Sequence, residues 1–146
     1  MFITKTKQGM TLIELVISVA VLSILASMAM PMARNSVIRT KEVLLREKLR
    51  EIRTAIDRFY DKNHRDAPTM PEEEKYPKNL EQLVQKKYIR KIPEDPVTGK
   101  AEWIIISYTD TFDPDYFIAD QNPENVYDIR STSEDTALDG SRYVTW

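Results

Sequence analysis

The feature that most constrains this chain is an apolar run from Met10 to Met32, 23 residues long, in which Glu14 is the only formal charge. At 1.5 Å per residue a helix over it is roughly 35 Å long, enough to cross a hydrocarbon core of about 30 Å. Lys5 and Lys7 precede it with no acid nearby, and basic flanks stay on the cytoplasmic side. The rest of the chain is then expected outside the cytoplasm. A carboxylate inside a span costs about 2.5–3.5 kcal/mol at the helix centre and less near its end, so Glu14 calls for a function. Two other readings compete. Ser27 and Ala29 make a small-residue cleavage site for a secretory signal, but such a signal has an apolar core of only about 7–15 residues. A plain membrane tether gives Glu14 no reason to be there.

Setting that run aside leaves a small head, and 146 residues imply one modest domain. With no cysteine, neither a disulfide framework nor a cysteine zinc site is available. The net charge of -2 conceals a segregation: Arg34 to Arg65 holds ten basic and five acidic residues, whereas Asp110 to Trp146 holds nine acidic and two basic. A basic rod and an acidic tail either attract each other or form two solvated faces. Acids lace the basic stretch and no aromatic platform interleaves it, which argues against nucleic acid as a partner.

Pro31 removes one intrahelical hydrogen bond and clashes with the preceding turn, so a kink or a locally melted turn is expected there. Beyond it Ile38, Leu45, Leu49, Ile52, Ile56 and Phe59 recur at intervals of 7, 4, 3, 4 and 3, an amphipathic helical stripe. One helix from Met10 to about Asn63 would measure roughly 80 Å. Pro68, Pro71 and Pro77 end it in a loop. Asn79 and Gln82 form a capping-box pattern for a short helix with Leu80, Leu83, Val84 and Tyr88 on its apolar side. "IPEDPVTGK" turns the chain at Gly99, and "WIIISY", "DYFIA" and "NVYDIRS" read as short strands. The fold class is therefore α+β: a long N-terminal helix, half transmembrane and half amphipathic, packed on a small antiparallel sheet.

"KQGMTLIELVISVAVLSILASMAMP" resembles the N-terminal signal of type IV pilins and type II secretion pseudopilins. The resemblance implies that a prepilin peptidase cuts between Gly9 and Met10, that the new Met10 amine is methylated, and that Glu14, fifth in the mature chain, supports assembly. Pro31 matches the family's proline, whereas Met10 departs from its commoner Phe. The physical account agrees: packing subunits side by side takes the Met10 amine out of water, and a buried charge is tolerated only when paired. Glu14 of one subunit is expected to neutralise Met10 of a neighbour and so to set axial register.

"YPKNLEQLVQKKYIRKIPEDPVTGK" is similar to the major, G-type pseudopilin in its Tyr76-Pro77, its Leu80 and Leu83, and its Ile92-Pro93 with Asp95-Pro96. That likeness implies a C-terminal calcium site. Asp128, Ser131, Ser133, Asp135 and Asp139 are the candidate ligands, although their spacing is not that of an EF-hand. In the competing picture the acids are solvated, Leu138, Tyr143 and Trp146 hold the tail, and Gly140 supplies a turn. His64, the sole histidine, reads as a surface residue at the helix end. The aromatics Phe59, Tyr60, Tyr88, Trp103, Tyr108 and Tyr116 read as head core.

No nucleophile elbow or phosphate-binding loop occurs with three glycines in the chain, so an enzyme is not expected. The organisation is then a leader over 1–9, an assembly helix over 10–32 and a periplasmic head over 33–146. The implied subunit spans the inner membrane once, with its N-terminus cytoplasmic, and then joins a periplasmic filament. Its partners would be its own copies, minor pseudopilins, the prepilin peptidase, the inner-membrane assembly platform and membrane lipid. A surface type IV pilin and a monomeric tethered binding domain are the alternatives.

Overall fold

The computed structural model describes residues 9–110 and 123–146, and of 28–33 the backbone alone. Two compact units divide at Val37 and Ile38. The order is α1 (Leu12–Asp66), a 3-10 turn (Glu72–Lys75), α2 (Leu80–Gln85), β1 (Trp103–Ile106), β2 (Asp128–Ser131) and a 3-10 turn (Tyr143–Thr145).

α1 is helical across Pro31, so the melted turn expected there is not found. A proline deletes one N–H donor and leaves the flanking bonds of the ladder in place, which lets a long helix carry it. The helix ends three residues beyond the expected Asn63, just before the Pro68 loop. In the first unit the described apolar side chains are exposed and meet no core. In the second, Leu45, Leu49, Ile52, Ile56 and Phe59 are buried while Ile38 is only partly covered. Five of the six stripe positions therefore face the core, joined there by Leu83, Trp103, Val126, Ile129 and Tyr143.

The α+β class is the one found, with a sheet of two antiparallel strands among the described residues. Trp103 pairs with Ser131 and Ile106 with Asp128, a register that buries Trp103, Ile106 and Ile129. Both strands are shorter than the apolar patterns "WIIISY" and "NVYDIRS", because the chain turns at Ser107 to Asp110: Ser107 N donates to Asp110 Oδ2 and Tyr108 N to Asn125 Oδ1. "DYFIA" and Tyr116 lie outside the described residues.

Asn79 caps α2 as expected, its Oδ1 accepting from Gln82 N at 2.9 Å. Gln82 Oε1 reaches back one residue further than the pattern implied, to Lys78 N at 2.8 Å. Gly99 and Gly140 have φ of 74° and 87°, left-handed values that suit glycine at these two turns.

Candidate functional site

Two regions carry the expected functional residues. At the N-terminus Thr11 begins α1: its Oγ1 accepts from Glu14 N at 3.3 Å and its carbonyl from Leu15 N at 3.1 Å. Thr11 is thus an N-cap and Glu14 stands in the first turn, where a carboxylate is favoured by the helix dipole. Thr-x-x-Glu has the spacing of a capping box, of which only the half made by the Thr11 hydroxyl is formed. Among the described residues no donor reaches the carboxylate itself. Gly9 is exposed, and a Cβ built on it meets nothing within 4 Å. Both Gly9 and Met10 are exposed, and nothing in the described chain requires glycine at position 9.

The polar side chains that follow turn inward on the backbone. Ser18 Oγ donates to the Glu14 carbonyl, Ser23 Oγ to Val19 and Ser27 Oγ to Ile24, each at 2.7 Å. That satisfies each side-chain hydroxyl of 12–27 and leaves an exposed surface that is, apart from Glu14, mostly Leu, Ile and Val, with Leu12 81% and Leu22 63% exposed. A helix apolar all round needs cover from lipid or from other helices.

Among the described residues no helix is long and apolar enough to cross a membrane. The backbone is helical through the rest of the span expected over 10–32, but the side chains of 28–33 lie outside the described residues, and the apolar helical stretch with described side chains runs 12–27. It measures about 24 Å at 1.5 Å per residue. Of Pro31, in the same segment, only the helical backbone is described.

In the head, the five candidate calcium ligands do not converge on one point. Asp128 pairs with Arg53, Oδ1 to Nε at 2.7 Å, and Arg53 also donates to the carbonyls of Ile129 and Trp146. Ser131 Oγ donates to the buried Asp95 at 2.5 Å. Ser133 and Asp135 bond each other. Asp139 accepts from Ser141 and lies 3.7 Å from Arg46; the Ser141 hydroxyl, first among the causes, holds its carboxyl below the usual range. Among the described residues no group of three or more histidine, aspartate or glutamate side chains is placed to hold a metal ion. Calcium needs six to eight oxygens in one shell, and the five candidate ligands are engaged in separate contacts instead.

Sequence reasoning overlooked three buried polar anchors. Glu42 Oε1 accepts from Leu138 N at 2.7 Å and from Tyr143 Oη at 3.2 Å, which ties the tail to α1. Asp95 Oδ1 accepts from Val97 N at 2.7 Å and closes the turn of the Ile-Pro-x-Asp-Pro segment. Lys75, 1% exposed, reaches Glu72 at 2.6 Å and His64 Nδ1 at 3.1 Å. His64 is exposed but not solitary, since it also stacks on Tyr60. The tail follows the apolar picture in part: Tyr143 is buried and Trp146 packs on the core under Arg46, while Leu138 stays 46% exposed and contributes its backbone.

Of the expected aromatic core, Phe59 and Trp103 are buried, Tyr60 and Tyr88 are partly covered, and Tyr108 is exposed. Tyr60, Tyr76, Tyr108 and Tyr127 form a stacked and edge-on cluster, with neighbouring rings 4.8–5.7 Å apart. Burial, ahead of the neighbouring tyrosines, pushes the Tyr76 hydroxyl up to about 12, so it stays neutral at physiological pH.

The model of the prokaryotic N-terminal methylation motif matches residues 4–30. Neither a curated protein nor a solved structure matches the chain. The match takes in Gly9, Met10, Thr11 and Glu14 and supports a type IV pilin-like subunit made as a prepilin-type precursor.

Proposed function

We propose that this protein is a structural subunit, not an enzyme, of a filament assembled through its N-terminal helix, and specifically a pseudopilin of a type II secretion system. The observation that carries the reading is a helix apolar on every side with one carboxylate in its first turn, lying inside a methylation motif. Prepilin peptidase removes 1–9 and the Met10 amine is methylated. Before assembly the apolar helix is covered by inner-membrane lipid; after it, by the helices of other copies. The Glu14 carboxylate, for which no donor is found within the described chain, is then free to pair with the Met10 amine of a neighbour. Such pairing recovers part of the desolvation cost of both charges.

The head motif from Tyr76-Pro77 to Asp95-Pro96 favours the secretion filament over a surface pilus. In that setting the partners are minor pseudopilins and the inner-membrane platform, and the filament drives folded cargo outward. Calcium takes no step in this reading.

Intact-mass measurement of membrane-extracted protein tests the processing: loss of 1–9 plus one methyl group is expected, and a retained leader or a cut after Ala29 defeats the reading. Replacing Glu14 by Ala should leave insertion unchanged or improved while filaments fall by about tenfold or more. Normal filaments from that variant would rule out the pairing.

A further inference from the structure

One exposed face of α1 carries a separated charge pattern. Arg39, Arg46, Arg50, Asp57 and Asp61 follow at intervals of 7, 4, 7 and 4, which places them on one side of a 3.6-residue helix. All five are exposed. The first three are basic and the last two acidic, and Arg39 lies five turns, about 27 Å, from Asp57. Among the described residues Arg39, Arg50, Asp57 and Asp61 enter no ion pair. Arg46 is held at the head by Asp139 and Trp146.

This face is also concave. Three hollows of about 520, 480 and 630 Å³ follow one another beside α1; the first two share Arg46, and the second and third share Arg53 and Asp57. They form one trough. At its start Glu42 and Asp139 are taken up by the tail and by Arg46, which leaves Arg39 and, further along, Arg50 as the charges on offer. At its end Arg53 is taken up by Asp128, which leaves Asp57 and Asp61 beside Tyr60, Tyr76 and Tyr127. Burial, then Asp61 and Asp128, holds the Asp57 carboxyl above its ordinary range, so a cation placed at that end relieves a crowding the folded chain leaves in place.

We propose that this trough is the contact between successive copies of the chain, the basic end of one copy overlapping the acidic end of the next in parallel, with an offset of about 11–18 residues of helix. The proposal rests on the filament reading and supplies its head-to-head register. A second copy is the occupant because the two ends of one face complement each other in charge. A parallel offset leaves a free basic end and a free acidic end on every pair, so the contact repeats without closing. The guanidinium groups of one copy meet both carboxylates and tyrosine faces of the other. An antiparallel pairing would satisfy the same charges but close at a dimer.

The absence of cysteine makes the test direct. Two full-length variants, one with Arg39→Cys and Asp57→Cys and the other with Arg50→Cys and Asp61→Cys, are oxidised in membranes of the producing cells. A ladder of multimers beyond the dimer from either variant is expected. No ladder from either, a product that stops at the dimer, or products whose masses are not multiples of the chain's would overturn the proposal. Charge reversal supplies a second readout. Arg39→Glu with Arg50→Glu, or Asp57→Lys with Asp61→Lys, should each lower multimers by about tenfold, and all four together should restore them. All four sites are exposed, and a melting curve checks that each variant folds. Parent multimers unaffected by reversal sink this contact alone. A parent chain that forms no multimers takes the filament reading down with it.

Discussion

The two units of this chain solve opposite problems. In the first, 12–27 has apolar side chains and no tertiary partner, and its three serines return their hydroxyls to the backbone. In the second, the two strands found among the described residues pack on α1 through the apolar core, and buried polar groups with partners in place fix the tail and the turns around it. The first unit is finished only by an external surface, lipid or helix. The second is finished internally, and its specificity lies in Glu42, Lys75 and Asp95 as much as in its leucines. A substitution at a buried position of the second unit should therefore act on folding, whereas one in the first unit, or on the exposed charged face of α1, should act on assembly.

The largest expected effect on folding is at Asp95, which is fully buried and accepts from Val97 N and Ser131 Oγ. Asp95→Ala strands both donors, a loss of about 3–4 kcal/mol. Thermal unfolding of the full chain in detergent should show the head transition lowered by about 10–20 °C. The helical signal of the first unit should survive. Loss of both together would break the contrast between the units.

Glu42→Ala should cost about 2 kcal/mol by removing the acceptor of Leu138 N and Tyr143 Oη. Amide exchange at Leu138 should rise, whereas Glu42→Gln, which keeps an acceptor oxygen, should retain most of the protection. Equal loss from both variants would mean that the charge, not the oxygen, holds the tail.

The head's local plan was legible because short-range patterns report it directly: the stripe from Leu45 to Phe59 followed from its period, the Asn79 cap from its spacing to Gln82, and β1 and β2 from their β-branched runs. Its polar plan was not, since Asp95 and Ser131 bond across 36 positions and Glu42 and Tyr143 across 101. No local pattern encodes a partner at that separation. Near Glu14 the bond made within the chain is the Thr11 cap on its backbone N–H, which leaves the carboxylate without a donor among the described residues, and the partner that the resemblance implies for it belongs to another copy. The contacts of the tail acids were not legible either: the acids lie close in sequence, but Arg53, Arg46 and the neighbouring serines divide them among separate contacts.

Trp146 gives a smaller effect that sharpens the tail comparison. Its indole lies under Arg46 at 4.0 Å, donates to Ser141 Oγ at 2.7 Å and packs edge-on against Tyr143. Trp146→Ala should cost about 1–2 kcal/mol. Calcium and chelator should give the parent protein the same melting curve. Binding at a hundredfold excess over Kd would add about 2.7 kcal/mol, so a rise with calcium would restore Asp128, Asp135 and Asp139 as ligands.

The smallest effect is one of sign. Asp57 has its carboxyl raised by burial and then by Asp61 and Asp128, so the folded state binds its proton more tightly than the unfolded chain does. Stability therefore falls as pH rises from the unfolded value of about 3.9 through the raised one, and the penalty is complete at neutral pH. Glu72 runs the other way. The Lys75 hydrogen bond, and after it that of Tyr60, lowers its carboxyl, so its contribution is present above about pH 4.3 and is lost as pH falls through the depressed value. Asp57→Asn should thus raise head stability at pH 7 by a few tenths of a kcal/mol and do nothing at pH 3, where both forms are neutral. The same variant should weaken multimers, because the carboxylate that strains the folded subunit is the one offered to the basic end of the next. A gain in stability with unchanged assembly would leave Asp57 a solvated acid and separate the two units more sharply still.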